Sequence, residues 1–427
     1  MKIGTDIARI SRFEKITEND IPKKIFSDSE KEYILSKKNA AQTAAGIFAA
    51  KEAFLKALGT GISVLPLNEI CVTHTLSGAP EISLSDNADK LFRKFFQGSI
   101  SLSISHDGDY AIATVCLNSD KYYDFYKKAV LVYENCPEDT ITPELIHANL
   151  PERDRKLHKG SCGRLYACAG SKGLTGAAIM ACKSALKCGA GLISLGCCES
   201  LNTIFEASLY EVMTKPLPDK NGMHILENSD AIVTESENAD ACLIGPGLGR
   251  NAAITRITKK VFRNENIYAV ADADALFSAS TDLNILKNHK AKLILTPHIG
   301  EFSYLTGKTS EEILLNTKAL ATDFAKKYNT TLVLKSHRTV VASPDGRCLV
   351  NITGNPGMAT GGSGDVLAGA IASFASQGIE PFEAACTGVY IHSLAADMAA
   401  MEKGEYSLTP SDITDYLPYA IKFSTGR

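Results

Sequence analysis

The chain has 427 residues, of which 45% are hydrophobic and 22% charged. That is ordinary globular composition, and it excludes a disordered chain, a collagen-like repeat and a pure coiled coil. Lys and Arg total 45 against 48 Asp and Glu, a formal net charge of -3, so the overall balance points to neither nucleic acid nor an anionic membrane as partner.

No run approaches the ~20 apolar residues of a membrane span, and Asp6 stands where the apolar part of a signal peptide would lie. The expected address is cytoplasmic. The 12 cysteines show no Cys-x-x-Cys or ligand spacing. Several, among them Cys168, Cys182, Cys188 and Cys242, sit in small apolar surroundings. They read as reduced, buried thiols rather than a disulfide framework or a zinc site.

At about 150 residues per domain the length allows two or three domains, and the texture changes once. Up to about Leu117 the chain carries Lys/Glu-bearing helical patterns and few glycines; Asn118 to Asp124 is polar and turn-prone. The expected division is a first domain at 1–118, a linker at 119–128 and a second domain at 129–427.

In the first domain Lys2 to Ile7 reads as a strand that carries Asp6 close to Gly4. Phe48 to Leu58 reads as a helix closed by Gly59, with an apolar face through Phe48, Phe54, Leu55 and Leu58. Lys51 and Glu52 are adjacent on it and are expected to lean to one side. One carboxylate from a strand and one from a helix suit a hard cation such as Mg²⁺, with Lys51 free for a phosphate oxygen; a solvated Lys-Glu pair is the alternative. Arg9 and Arg12, three apart on an expected helix after Asp6, share a face. Ile100 to His106 alternates as a strand, and Tyr110 to Val115 resumes the pattern.

Three blocks in order, Gly4-Thr5-Asp6, Phe48-Ala49-Ala50-Lys51-Glu52-Ala53 with Gly59-Thr60-Gly61, and Ser103-Ile104-Ser105-His106-Asp107, make residues 1–117 resemble holo-acyl-carrier-protein synthase, an α+β 4'-phosphopantetheinyl transferase. The resemblance implies Mg²⁺ held by Asp6 and Glu52, phosphate oxygens steadied by Lys51 and His106, and coenzyme A as substrate. It also implies an apo acyl carrier protein as partner, gripped by Arg9 and Arg12. The chain departs from the pattern at Ile47, where an arginine is usual. The alternative is a binding module for the carrier protein that has lost transfer.

From Gly160 onward strand-length apolar runs alternate with helical stretches: Arg164 to Gly170, Ala241 to Gly245, Ile267 to Ala271, Leu293 to Thr296 and Thr331 to Leu334. Such alternation predicts an α/β domain with a mostly parallel sheet covered by helices. Glycine loops follow at Gly170, at Gly245-Pro246-Gly247-Leu248-Gly249 and at Thr353-Gly354-Asn355-Pro356-Gly357, where the strand ends of such a sheet gather ligands. The run Gly361-Gly362-Ser363-Gly364-Asp365 opens an apolar helix. It predicts an anion cradle containing one carboxylate, read as a general base with a helix N-cap as alternative.

That run resembles the ribokinase-like superfamily. With His158-Lys159-Gly160, Asp272-Ala273-Asp274-Ala275-Leu276, Leu295-Thr296-Pro297-His298-Ile299-Gly300-Glu301 and Val333-Leu334-Lys335, residues 141–417 resemble ADP-dependent NAD(P)H-hydrate dehydratase. The resemblance implies dehydration of the S form of hydrated NADH and NADPH with ADP as phosphoryl donor, ATP being the other candidate. Asp365 would activate the substrate hydroxyl. Gly364 and the segment Lys335, Ser336, His337, Arg338, Thr339 would hold the AMP part of the nucleotide. Ala177, Gly247, His298 and Asp365 would contact the dinucleotide. From charge and strand-end placement, Asp272 and Glu301 are expected to bear on Mg²⁺ through water, with a packing or capping role as the alternative for Asp272. Ser336 stands where the pattern has a glycine after the lysine. Both resemblances imply a homo-oligomer. The alternative for this domain is a ribokinase-like kinase of a vitamin precursor.

Overall fold

The computed structural model describes residues 2–15, 21–59, 65–75, 78–96, 98–119, 137–151, 153 and 156–425. The chain divides into two compact units, Met1–Asn135 and Cys136–Arg427. Apart from Ser119, the expected linker lies outside the described residues, as do Thr60 and Gly61 of the first motif set.

The first unit runs β1 (Lys2–Arg9), α1 (Asp28–Ser36), α2 (Ala40–Leu58), β2 (Ile70–His74), β3 (Pro80–Leu84), α3 (Asp86–Phe95), β4 (Gly98–Asp107) and β5 (Tyr110–Ser119). Strands β1, β5 and β4 form an antiparallel sheet in that spatial order. Helix α2 begins where the Asn39 side chain accepts the Gln42 N–H, and ends where Gly59, at φ 77°, turns its N–H back onto the Leu55 and Lys56 carbonyls. The sheet alternates as a half-buried sheet must: Ala8, Ala111, Ala113 and Val115 are buried while Ile3 and Ile7 face outward.

Strand β1 lies directly on the backbone of α2. A Cβ on Gly4 would stand 2.1 Å from the Ala53 carbonyl oxygen and 2.4 Å from the Ala57 nitrogen. Small residues on the helix, Ala49, Ala50, Ala53 and Ala57, complete that close approach. Side chains two apart on a strand share a face, so the direction that is closed at Gly4 is the direction in which Asp6 projects.

The second unit contains β6 (Arg164–Cys168), α4 (Thr175–Lys187), β7 (Leu192–Cys198), β8 (Met213–Leu217), a short hairpin of β9 (Asp219–Lys220) and β10 (Met223–His224), β11 (Ala241–Ile244), β12 (Tyr268–Ala271), α5 (Asp274–Thr281), β13 (Lys292–Leu295), α6 (Ile299–Thr306), β14 (Thr331–Leu334), β15 (Val340–Ala342), β16 (Cys348–Val350), α7 (Ser363–Ser376) and α8 (Pro381–Lys403). Among the described residues these build a nine-stranded sheet in the order β16-β15-β14-β13-β12-β11-β6-β7-β8. From β8 to β14 every neighbouring pair is parallel; β15 and β16 add an antiparallel edge.

The expected strand runs coincide with these strands to within a residue or two at their ends, because residues buried on both faces read as continuous apolar segments. Helix α7 is buried along most of its length and is seated by glycine: a Cβ at Gly369 would meet the Ala181 carbonyl oxygen of α4 at 2.1 Å. No described helix is long and apolar enough to cross a membrane.

Gly4→Ala is expected to destabilise the first unit by about 2 kcal/mol or more through overpacking. Amide exchange in β1 and α2 of the full chain should then accelerate roughly thirtyfold, with the second unit's exchange unchanged. Unaltered exchange in β1 would contradict the close approach.

Candidate active sites

In the first unit the structure brings Asp6 and Glu52 together and adds Lys56, which the motif reading did not single out. Lys56 Nζ donates to Asp6 Oδ1 at 2.7 Å and to the Thr5 carbonyl at 3.3 Å. Glu52 and Lys56 are four apart on α2 and therefore share a face, a spacing that was available in the sequence. Glu52 Oε1 is buried without a hydrogen-bond partner, and burial together with the nearby Asp6 carboxylate raises the Glu52 pKa above the ordinary glutamate value. An orphaned carboxylate oxygen beside a second carboxylate fits a divalent cation with oxygen ligands. Among the described residues no group of three or more His, Cys, Asp or Glu is placed to hold a metal; the carboxylates brought together here are these two.

The expectation for Lys51 is corrected. Its side chain is fully enclosed, with Nζ donating to Glu30 Oε2 at 2.6 Å, to the Ile25 carbonyl at 2.6 Å and to the Leu67 carbonyl at 2.9 Å. Those bonds use all the donors an ammonium has, so none is left for a phosphate. Successive helix residues are about 100° apart: Glu52 faces Asp6, while Lys51 turns inward with Ile47 and Leu55, four residues to either side. Glu30 in turn accepts the Val72 and Ser27 N–H groups, so this pair joins α1, α2 and β2. Ile47 is 2% exposed, which explains its identity by packing.

His106 lies on the inner sheet face: its partner across the ladder is Ala111, which in turn pairs with Ala8. Its Nε2 would be 2.8 Å from a Cβ on Gly46. Gly46 precedes Glu52 by six residues, roughly 9 Å along the helix, so His106 and the carboxylate pair lie at different levels of α2. Arg9 ends β1 and Arg12 sits in the 3-10 turn Ile10–Phe13, not on an α-helix as expected. Arg9 donates to the Tyr110 hydroxyl at 2.8 Å, and Arg12 lies 6.0 Å from the centre of the Phe48 ring.

In the second unit the site collects at the carboxyl ends of the parallel strands. Asp272 follows β12, His298 lies just beyond β13, Lys335 follows β14, and Asp365 is in the first turn of α7. Lys335 Nζ is 2.7 Å from Asp272 Oδ1 and 4.0 Å from Glu301 Oε2; a Cβ on Gly364 would be 3.3 Å from it. Thr296 donates its hydroxyl to Asp272 at 2.7 Å. Burial opposes the Lys335 charge, but Asp272, Glu301 and Asp365 outweigh it and hold its pKa above the ordinary lysine value. Burial and then the Asp272 charge push the Asp365 carboxyl up to about 6, against the pull of Lys335. Burial likewise raises Glu301.

His298 Nδ1 accepts the Gly300 and Glu301 N–H groups, so its other ring nitrogen carries the proton; the side chain is exposed. The Lys335 ammonium is turned into the carboxylates. Along Ser336, His337, Arg338 and Thr339 the groups open to solvent are therefore His337 and Arg338, while Ser336 and Thr339 hydroxyls tie the turn internally.

The loops are locked to one another. Gly247 at φ 61° would place a Cβ 2.9 Å from that of Ala177, and Ser171 donates its hydroxyl to the Gly247 carbonyl at 2.8 Å. Helix α8 holds the remaining loop: Asp397 accepts the Gly354 N–H and the Asn355 side-chain amide, each at 2.8 Å, and Ser393 meets Thr353. Behind the cradle, His392 lies 3.5 Å from the Ser363 hydroxyl, its pKa lowered to about 4 by burial. Asp397, His392 and Ser393 were invisible to motif reading because they sit in an apolar helix. The His158-Lys159-Gly160 block precedes β6 and so lies at the opposite end of the sheet from these loops.

Sheet order and site define the second unit as a ribokinase-like α/β protein. Residues 165–419 match the family model of NAD(P)H-hydrate dehydratase, and the chain belongs to that family. Residues 2–115 match the 4'-phosphopantetheinyl transferase superfamily. The chain is 39% identical over 283 residues to a bifunctional NAD(P)H-hydrate repair enzyme of Moorella thermoacetica, covering 66% of this chain and 53% of that protein. It is 32% identical over 277 residues to the ADP-dependent (S)-NAD(P)H-hydrate dehydratase of Bacillus subtilis, covering 65% and 95%. The crystal structure of the Bacillus subtilis ADP/ATP-dependent NAD(P)H-hydrate dehydratase, co-crystallised with ATP/Mg²⁺, superposes with TM-score 0.58 at 30% identity, covering 68% of this chain and 99% of that one. The chain thus spans about half the length of the bifunctional repair enzymes it matches.

Lys51→Met in the full chain should destabilise the first unit by about 3–5 kcal/mol, because it strands the buried Glu30 carboxylate. Adding Glu30→Leu should recover much of that loss. Denaturant unfolding reads both; a stable single variant would contradict the structural role.

Proposed function

We propose that the chain is a bifunctional enzyme of the cytoplasm. The first unit transfers 4'-phosphopantetheine from coenzyme A to a serine of an apo acyl carrier protein. The second returns the S form of hydrated NADH and NADPH to NADH and NADPH with ADP as phosphoryl donor.

The second activity is supported chiefly by Asp365, a carboxylate whose pKa of about 6 suits a general base near neutral pH. It sits among the N–H groups that open α7, which favour anions. Asp365 takes the proton of the substrate hydroxyl as its oxygen bonds to the β-phosphorus of ADP. The bond from that phosphorus to the bridging oxygen breaks, and AMP leaves. Loss of inorganic phosphate and of a ring proton then restores the double bond. His337 and Arg338 face solvent on the segment assigned to the nucleotide, and the locked pair Ala177 and Gly247, with His298, is assigned to the dinucleotide.

The first activity is supported by the unpartnered Glu52 oxygen beside Asp6. These two carboxylates would hold Mg²⁺, which neutralises pyrophosphate charge when bound. Lys56 orients Asp6, His106 beside Gly46 is assigned to phosphate oxygens, and Arg9 and Arg12 are assigned as contacts for an acidic carrier protein. The serine oxygen bonds to the β-phosphorus of coenzyme A and gives its proton to solvent, while the bond from that phosphorus to the bridging oxygen breaks and adenosine 3',5'-bisphosphate leaves. A homo-oligomer is the expected assembly.

Two assays on the purified full chain test this: coenzyme A with apo carrier protein, and hydrated NADH with ADP or ATP. Asp365→Asn should lower dehydration at least a hundredfold with transfer retained, and Asp6→Asn should do the reverse. Loss of both activities in either variant would contradict two separate sites. Accumulation of a stable phosphorylated product would favour a kinase instead.

A further inference from the structure

Arg250 directly follows the Gly245–Gly249 loop and is held at two points while remaining 61% exposed. Its Nε donates to Asp274 Oδ1 at 3.1 Å, and its guanidinium carbon lies 4.1 Å from the centre of the Phe277 ring. Both anchors belong to α5. The other Asp274 oxygen accepts the Gly249 N–H at 2.8 Å, so one carboxylate fixes the loop and the arginine together.

The backbone before Asp274 is strained to achieve this. Ala273 adopts φ 48° and ψ -113°, a conformation that residues with a Cβ rarely take and that persists where surrounding structure imposes it. The turn sends neighbouring carboxylates opposite ways, Asp272 to Lys335 and Asp274 to the glycine loop.

A free arginine gives up much rotamer entropy when it is immobilised. Arg250 has lost much of that freedom already, and among the described residues the hydrogen bond it makes is through its Nε. The terminal nitrogens keep the planar fork that matches phosphate oxygens. The location is that of the substrate: Gly247 in the same loop lies against Ala177, and Asp274 is close enough to Asp365 to contribute to its raised pKa.

We propose that Arg250 is an anion-recognition residue of the second unit that takes a phosphate group of the dinucleotide, with Asp274 and Phe277 as its positioning residues. The inference rests on the dehydratase reading and adds to it a residue and a ligand group. The phosphate is either in the pyrophosphate, common to both dinucleotides, or the 2'-phosphate of NADPH; the chemistry at the fork is the same.

Calorimetric titration of the full chain with NADH, NADPH and ADP separates the cases. Arg250→Gln should weaken dinucleotide binding about tenfold or more while the thermal midpoint stays within about 2 °C, as expected for an exposed side chain. Arg250→Lys, which keeps charge but not the fork, should recover only part of the loss, and Phe277→Leu should show a smaller loss in the same direction. Equal weakening of NADH and NADPH identifies the pyrophosphate, and weakening of NADPH alone the 2'-phosphate. Undiminished binding of both, or weakening of ADP alone, overturns the inference. A wild-type chain that binds neither dinucleotide overturns the dehydratase reading with it.

Discussion

The ammonium of Lys335 is the interaction on which the second unit's site depends. Three carboxylates from separate segments, Asp272, Glu301 and Asp365, approach one enclosed space, and like charges there repel strongly unless a cation stands between them. Lys335 is closest to Asp272, at 2.7 Å, and ties the end of β14 to the end of β12. Because that contact engages the lysine on one side, Asp365 is left under-compensated. Its burial among the remaining charges, more than any single neighbour, then lifts its carboxyl into the range of a useful base. Structure and chemistry therefore share one cation.

The first unit solves the same problem by separating the two tasks. Lys51 and Glu30 form a buried pair that joins elements and faces no ligand. Asp6 and Glu52, on the other side of the same helix, keep an unpartnered oxygen. What permits this is the closeness of β1 and α2 at Gly4, since Asp6 projects from the same strand face. Lys56 bonds to Asp6 from the solvent side and offsets part of the Glu52 charge, while burial and Asp6 keep the Glu52 carboxyl raised.

Much of this architecture was legible in the residue pattern. The alternation of apolar runs and glycine loops carried the parallel sheet, and Asp365 stood out as a carboxylate where an anion cradle should repel one. The expectation for Lys51 does not hold because a helix turns sequence neighbours about 100° apart, so Lys51 and Glu52 face different sides; the four-residue spacing of Glu52 and Lys56 puts those two on one face. Arg9 and Arg12 fall on a strand end and a 3-10 turn, which periodicity over so few residues cannot distinguish from a helix. Asp274, Asp397 and His392 depend on long-range packing, through a strained Ala273 and through helix α8, and no local spacing encodes it.

Burial and the Asp272 charge, opposed by Lys335, bring the Asp365 carboxyl to a pKa of about 6. The most direct measurement is a carboxyl-¹³C titration of the aspartate-labelled full chain, with the Asp365 resonance assigned by its absence in Asp365→Asn. A midpoint near pH 6 is the predicted result. A midpoint at the ordinary aspartate value of about 4 would contradict it and remove the physical basis for Asp365 as the base.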